Sequence, residues 1–502
     1  MPTDTGSPAR APRGDRRAER RSRAASAGST ASTRRREAPS AARRRRSALR
    51  AIAGVTGLVI AAAAVVLPQL IPLPAVTRTA EGVVVAPVAA DSTLVCGGDL
   101  IDASEPRELR SFPGSGTAVW PRDATSSSAP LAEPDVATGG TGIDALSVPA
   151  ESDPTPGGAT TQSIANESVS GLAAQGCAEP SADSWLVAGS TDVGLTSVLV
   201  LANASEVAAT VDLALYGEQG PITATGATGI VVPAGSVRVL PLAGLAPDVV
   251  QPVIRMTARG GEVAATLQSS AIAGLAPEGV ETSSPSAGAD TITVISGFTV
   301  ATPPADTASD DGSGGSGTPV LRILAPGGED TTVSIEVANE DPSGLGTSTQ
   351  VVAAAGRVGE VPLTGLADGS YRITLRSDQP IVAAGRTTST GPAGTDFAWF
   401  ASGTATSVPF GVGNTGEAGS RLHLANASDS SASVVIESDA GSRTLEIGPF
   451  AAASTELGAD SVVVSSDQPV QASVSISSDG RIASYPIVPP GPLSSPVTVY
   501  SH

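Results

Sequence analysis

Leu201-Ala202-Asn203-Ala204-Ser205 returns later in the chain as Leu424-Ala425-Asn426-Ala427-Ser428. A degenerate copy stands between them at Leu324-Ala325-Pro326-Gly327. Each copy follows a short apolar run and precedes an alternating one: Val211-Asp212-Leu213-Ala214-Leu215, Val333-Ser334-Ile335-Glu336-Val337 and residues 434–437. Apolar and polar residues in strict alternation mark strands with one face buried. Asn suits the turn between such strands, because it tolerates left-handed backbone and its side chain bonds to nearby main chain.

A second block recurs downstream. Pro241-Leu242-Ala243-Gly244-Leu245-Ala246 matches Pro362-Leu363-Thr364-Gly365-Leu366-Ala367, with a weaker copy at 455–459. Ser377-Asp378-Gln379-Pro380 matches Ser466-Asp467-Gln468-Pro469, and Arg259-Gly260-Gly261-Glu262 holds the same place in the first copy. A Val/Ala-rich strand follows each. Three units of one strand order, with turn signals at regular spacing, predict a mainly β chain of tandem β-sandwich units, immunoglobulin-like in architecture. A propeller or solenoid would use more and shorter repeats. The expected bounds are 183–301, 319–405 and 406–502, with the Pro/Asp/Gly/Ser tract 302–318 as a linker.

The N-terminal part has a different chemistry. The 502 residues contain no Lys, so all 30 basic residues are Arg. Residues 1–50 carry a net charge of +11 and the remainder −30. The Arg-rich stretch 1–47 lacks large apolar side chains and is expected to be a disordered cytoplasmic arm, drawn to anionic inner-leaflet lipids. It runs into the apolar residues 51–67, which Leu70, Ile71 and Leu73 continue beyond Pro68. A transmembrane signal anchor over 48–73 follows, with the Arg-rich flank inside. The chain is then a single-pass plasma-membrane protein whose acidic bulk lies outside, a poor partner for nucleic acid.

On that outer side stand the only two cysteines, Cys96 and Cys177, expected as one disulfide in an oxidising compartment. They fall within a membrane-proximal segment, 74–182. Residues 118–165 are rich in Ser, Thr, Pro, Gly and Asp without a period, and predict a flexible excursion. Trp185 is expected in the core, and its short separation from Cys177 allows it to pack on the disulfide.

Little in the chain carries chemistry. His423 lies in the alternating Arg421-Leu422-His423-Leu424 and is expected to face solvent with Arg421. A Ser-His-Asp hydrolase would have to use His423 or His502, and no Gly-x-Ser-x-Gly elbow accompanies them. Clustered Cys and His for zinc are absent, as is a phosphate-cradling loop with Lys. No cofactor is expected. The Asn-x-Ser patterns at Asn166, Asn203 and Asn426 include two of the repeated turns, which explain them without a glycan. Phe397-Ala398-Trp399-Phe400 is the one dense aromatic patch among scattered rings. Phe397, Trp399 and Phe400 are therefore the candidate interface, weighed against a place in the core.

The Arg arm and anchor, the Cys96 and Cys177 pair, the run from Cys177 to Trp185 and the Leu-Ala-Asn-Ala-Ser turn resemble an actinobacterial family of membrane-anchored exported proteins, a domain of unknown function. The resemblance implies an envelope location, without catalytic residues. The expected function is non-enzymatic binding or scaffolding of an envelope protein or glycan. An accessory subunit of an envelope glycosyltransferase or transporter is the alternative, with Ala51, Ala53, Gly54 and Gly57 permitting close helix packing. A carboxylate-based glycoside hydrolase is a third reading.

Overall fold

The structure is a computed structural model. It describes residues 54–60, 83–85, 91–104, 108–120, 127–138, 140, 142–149, 155–301, 317–458, 461–489 and 497–499. The chain divides into two compact units, Met1–Gly82 with Tyr500–His502, and Val83–Val499. In the first, only residues 54–60 are described, a short helix with exposed side chains inside the expected anchor. Among the described residues no helix is long and apolar enough to cross a membrane. The arm 1–47, the rest of the expected anchor and most of the expected linker lie outside the described residues.

The second unit is mainly β, and the threefold repeat is its plan. The first repeat runs through Asp183–Leu186, Leu195–Asn203, Ala209–Gly217, a fourth strand in two pieces, Ser236–Pro241, Val253–Arg259, Ala264–Ala273 and Ala276–Ser283. Its first, sixth, third and fourth strands form one sheet; its fifth, second, seventh and eighth form the other. The second repeat uses the same pairings from Asp290–Val300 to Gly394–Ala401, and the third from Phe410–Val412 to Arg481–Pro486. Each pair of sheets encloses an apolar core of its own.

The repeated Ser-Asp-Gln-Pro is the corner where the chain crosses from one sheet to the other. In the second repeat it lies inside one long strand, Gly369–Gly391, which pairs with Thr331–Asn339 before Gln379 and with Val320–Leu324 after it. Pro380 and Pro469 have no N–H to leave unpaired at this break.

Two expectations change here. The second-to-fifth and third-to-sixth pairings are those of an immunoglobulin sandwich. The first and seventh strands have exchanged sheets, so the first pairs with the sixth and the seventh with the second. The eighth strand thereby becomes a sheet edge. The boundary at 302–318 also moves. Asp290–Val300 pairs with Gly369–Gly391, so the Gly/Asp tract joins two strands of the second repeat rather than separating two repeats.

The excursion expected over 118–165 contains strands Ser127–Pro130, Val136–Thr138, Asp144–Val148 and Gly157–Ala165. Its Leu146 and Val148 form a small apolar cluster with Leu94 and Cys177 of the N-terminal segment, and other side chains of it join neighbouring modules. Leu131 and Ile143 pack on Val198, Val200, Val237 and Val239, the outer face of the first repeat. Ala159 joins the core of the third repeat. The disulfide Cys96–Cys177 forms as expected, with Cα atoms 4.2 Å apart, and ties Ser92–Cys96 to the end of Ser170–Gly176. Trp185 is buried, and its ring neighbours are Tyr216, at 6.1 Å between centroids, and the Arg255 guanidinium.

Asn203 and Asn426 explain the repeated turn. Each is buried. The Asn203 amide donates to the carbonyls of Val207, Val232 and Pro233 at 2.8–3.2 Å. The Asn426 amide donates to Ser430, Ile447 and Gly448 at 2.7–3.2 Å. Their Oδ1 atoms accept the N–H groups of Ser205 and Ser428. Neither backbone is left-handed; the side-chain bonds are the reason for Asn, and they leave no free amide for a glycan. The degenerate copy is shifted by one residue. Leu324 pairs with Val358 as Ala425 pairs with Ala452, so Ala325 takes the Asn position. Replacing Asn426 by Ala should cost about 2–4 kcal/mol, since several buried carbonyls lose their donor. Urea unfolding of the variant measures this, and a loss below about 0.5 kcal/mol would contradict the role given to the side chain.

Candidate functional site

Sheets with one solvated face explain alternation, but here the second sheet of each repeat is covered on both faces. The same position of the second strand shows what covers it. In the first repeat it is Val200, packed with the N-terminal segment. In the second it is Arg322, which donates to the carbonyls of Gly189, Val250 and Pro252 of the first repeat at 2.8–3.3 Å. In the third it is His423, bonded to Glu340 of the second repeat. Each module thus lays part of itself on the outer face of the next one.

The Arg322 junction claims the aromatic patch. Phe397, Trp399 and Phe400 are 7%, 4% and 1% exposed, so they do not form an outward interface. Phe400 packs edge-on against Phe298 in the second core. Phe397 and Trp399 point the other way, into the first core, and the Arg322 guanidinium lies 4.4 Å from the Trp399 ring centroid. Glu360 bonds Arg322 at 2.8 and 3.0 Å. Burial draws the Arg322 pKa down, and Glu360 works against that shift. A cavity of about 160 Å³ remains beside this junction, lined by Glu278, Arg386, Phe397 and several Ser and Thr hydroxyls.

His423 is buried, not solvent-facing. Its Nδ1 lies 2.7 Å from Glu340 Oε2 and its Nε2 2.8 Å from Ser475 Oγ. A bulge in Asp290–Val300 brings Gly297, at φ +68, against the imidazole, and the Gly297 N–H donates to Glu340 Oε1 at 3.1 Å. This is the order of a Ser-His-acid triad. Its chemistry is blocked by place. Ser475 is 2% exposed, accepts a further bond from Thr299 Oγ1 and lines neither of the cavities that flank the junction. The set acts as a strut between the second and third repeats. Sequence alternation found the face of His423 correctly but not what lies on it.

One flanking cavity, about 650 Å³, is walled by the loops around 339–347 and 365–371. The other, about 510 Å³, lies between Arg372, Thr374 and Arg376 on one side and Phe450 and Gln471 on the other. Period-two alternation puts the three strand residues on one face, while Ile373 and Leu375 enter the core. Among the described residues no group of three or more His, Cys, Asp or Glu is placed to hold a metal ion.

The eighth strands meet at the centre, with Ser170–Gly176 among them. Asp396, fully buried, accepts the backbone N–H of Leu172 at 2.9 Å, of Ile482 at 3.2 Å and of Val280 at 3.2 Å. One carboxyl group therefore touches the N-terminal segment and all three repeats. Burial pushes its pKa up to about 8, against the three N–H groups that favour the charged form. Glu281 is also fully buried, and its carboxyl is held well above the usual range by burial and by Asp396. Neither acid lines any of the three cavities described above.

Because the folded state holds the Asp396 proton to about pH 8 while an unfolded Asp releases it near 3.9, the folded state binds more protons between these values. Stability should therefore fall as pH rises from about 4 to 8, by up to about 1.4 kcal/mol per unit. Asp396→Asn should flatten that slope. Unfolding midpoints across this range, equal in slope for both proteins, would refute the assignment.

Sequence comparison adds one affiliation to this geometry. No curated protein and no solved structure gives a match. A family of unknown function, DUF5719, matches residues 135–449, which run from the N-terminal segment through the first two repeats into the third. The chain, with its three interlocked repeats, belongs to the DUF5719 family.

Proposed function

We propose that this is a non-enzymatic cell-envelope protein, held by a single N-terminal span and presenting tandem β-sandwich units outside the membrane for binding or scaffolding. The observation that carries the reading is the sealing of its reactive groups. The one Ser-His-acid set among the described residues and the Asp396 carboxyl hold modules together, and Glu281 is fully buried, whereas the large cavities between modules are lined by groups suited to binding. Four modules fixed around one buried carboxyl make a rigid body, and rigid scaffolds position binding groups well. The charge asymmetry of the sequence supports the orientation, with the Arg arm inside and the acidic body outside.

Orientation is tested in intact cells with a membrane-impermeant maleimide. Leu275→Cys, at a site 96% exposed, should be labelled and Ser26→Cys in the arm should not. The reverse pattern would overturn the reading. A serine-reactive fluorophosphonate should leave the purified protein unlabelled; modification of Ser475 would revive the hydrolase. The accessory-subunit alternative is favoured if an envelope enzyme or transporter crosslinks to the chain and is lost when residues 51–67 are exchanged for an unrelated apolar helix.

A further inference from the structure

The three repeats turn the same corner before their fifth strands, and one of them does so with the wrong residue. Ala451 N–H donates to Gly448 O at 3.1 Å, and Arg357 N–H to Ala354 O at 3.1 Å, closing four-residue turns. The third residue of each turn has positive φ: Gly356 at +66 and Phe450 at +50. Gly235, at +59, holds the same place in the first repeat, since its N–H donates to Ser205 O as that of Phe450 donates to Ser428 O. Such a position suits Gly, and a bulky side chain there is an outlier. Space does not call for a ring: a side chain at Gly235 would meet nothing within 4 Å. Phe450 nevertheless stands there, 44% exposed, on the wall of the 510 Å³ cavity.

Two guanidinium groups line the same cavity as the ring, on a body that is otherwise strongly acidic. Arg372 is 7% exposed; its Nε has no partner among the described residues, and Glu336 reaches only its Nη2, at 3.4 Å. Arg376 is exposed and makes no ion pair among the described residues. Ile292, 51% exposed, lies opposite Arg376 in the sheet and adds an apolar wall. Two acids limit the charge of an occupant: Glu336, whose side chain is 57% exposed, and Asp290 at the rim, which accepts the Thr291 N–H at 2.6 Å. Two guanidinium groups set against two carboxylates suit a single negative charge better than a double one. Strain kept at an exposed residue beside fixed donors is where binding sites are found.

We propose that this cavity binds an organic monocarboxylate bearing an apolar side chain, its carboxylate on Arg372 and Arg376 and its apolar group on Phe450 and Ile292. The site rests on the reading of the body as a binding module but not on its orientation in the membrane, so the labelling experiment and this one fail separately. A free acid and the carboxyl end of a peptide offer the same chemistry.

The test is calorimetric titration of the purified full-length chain with N-acetylphenylalanine, its amide and inorganic phosphate. The acid should bind, and the amide and phosphate should bind at least about tenfold more weakly. Phe450→Gly should lose about tenfold in affinity for the acid while its unfolding midpoint stays level or rises, because Gly relieves the backbone. Arg376→Gln, at an exposed side chain, should lose as much. A peptide ending in Phe, against its C-terminal amide, separates the two sources. No binding of the acid, equal binding of amide or phosphate, or full affinity in Phe450→Gly would each overturn the proposal. So would a clear fall in the Phe450→Gly midpoint, which would make the ring a packing element.

Discussion

Everything in the folded body converges on the carboxyl of Asp396. It sits on the eighth strand of the second repeat and accepts N–H groups from the N-terminal segment, the first repeat and the third. A backbone N–H buried at a junction without an acceptor costs about 1–3 kcal/mol, so three of them need an oxygen there. Burying a carboxylate is dearer still, and the group answers by keeping its proton. Glycines fit the approach: a Cβ at Gly171 would lie 2.6 Å from Asp396 Oδ1 and 2.5 Å from the Val280 nitrogen. A side chain at that position would push apart the strands that the carboxyl joins.

The wiring of the repeats follows from the same need. In an immunoglobulin sandwich the seventh strand closes beside the sixth. Here it pairs with the second, leaving room for an eighth beyond it, and those eighth strands are the edges that gather at the centre. Exposed sheet edges invite association with other chains. Placing three of them against one another and against Ser170–Gly176 hides them inside the molecule. The N-terminal segment is therefore structural: its strand Ser170–Gly176 fills the fourth place at the hub, and the disulfide ties Ser92–Cys96 to the end of that strand.

The strands and turns were legible in the sequence, and their neighbours were not. Alternation located the strands around 211–215 and 333–337, and the repeated Asn and Ser-Asp-Gln-Pro marked corners whose hydrogen bonds the structure supplies. The disulfide was expected from the two cysteines of the chain, and it forms. What failed was the inference from polar to solvated. Arg322, His423 and Ser475 lie on faces that alternation marks as outward, and another module covers those faces, meeting these polar groups with hydrogen bonds. The aromatic run failed in the opposite sense: both faces of that strand are buried, so its rings divide between two cores. The segment 118–165 has few apolar residues, and nothing local reveals that Leu131 and Ile143 pack on the outer face of the first repeat or that Ala159 joins the core of the third.

Internal repetition supplies a control that a single domain lacks. Where three copies share a backbone, a residue that differs in only one of them is measured against two folded alternatives in the same molecule. By that standard Val200, Arg322 and His423 are three solutions to one structural task, covering the next module, and their variety reflects the surface each meets. Phe450 is of another kind. Its two counterparts are glycines in the same backbone conformation, so neither the turn nor the fold calls for a ring. A residue that strains the chain, is exposed and shares a cavity with two arginines is not accounted for by the turn it stands in. The reason for its presence must lie outside the folded chain, in something that the cavity receives.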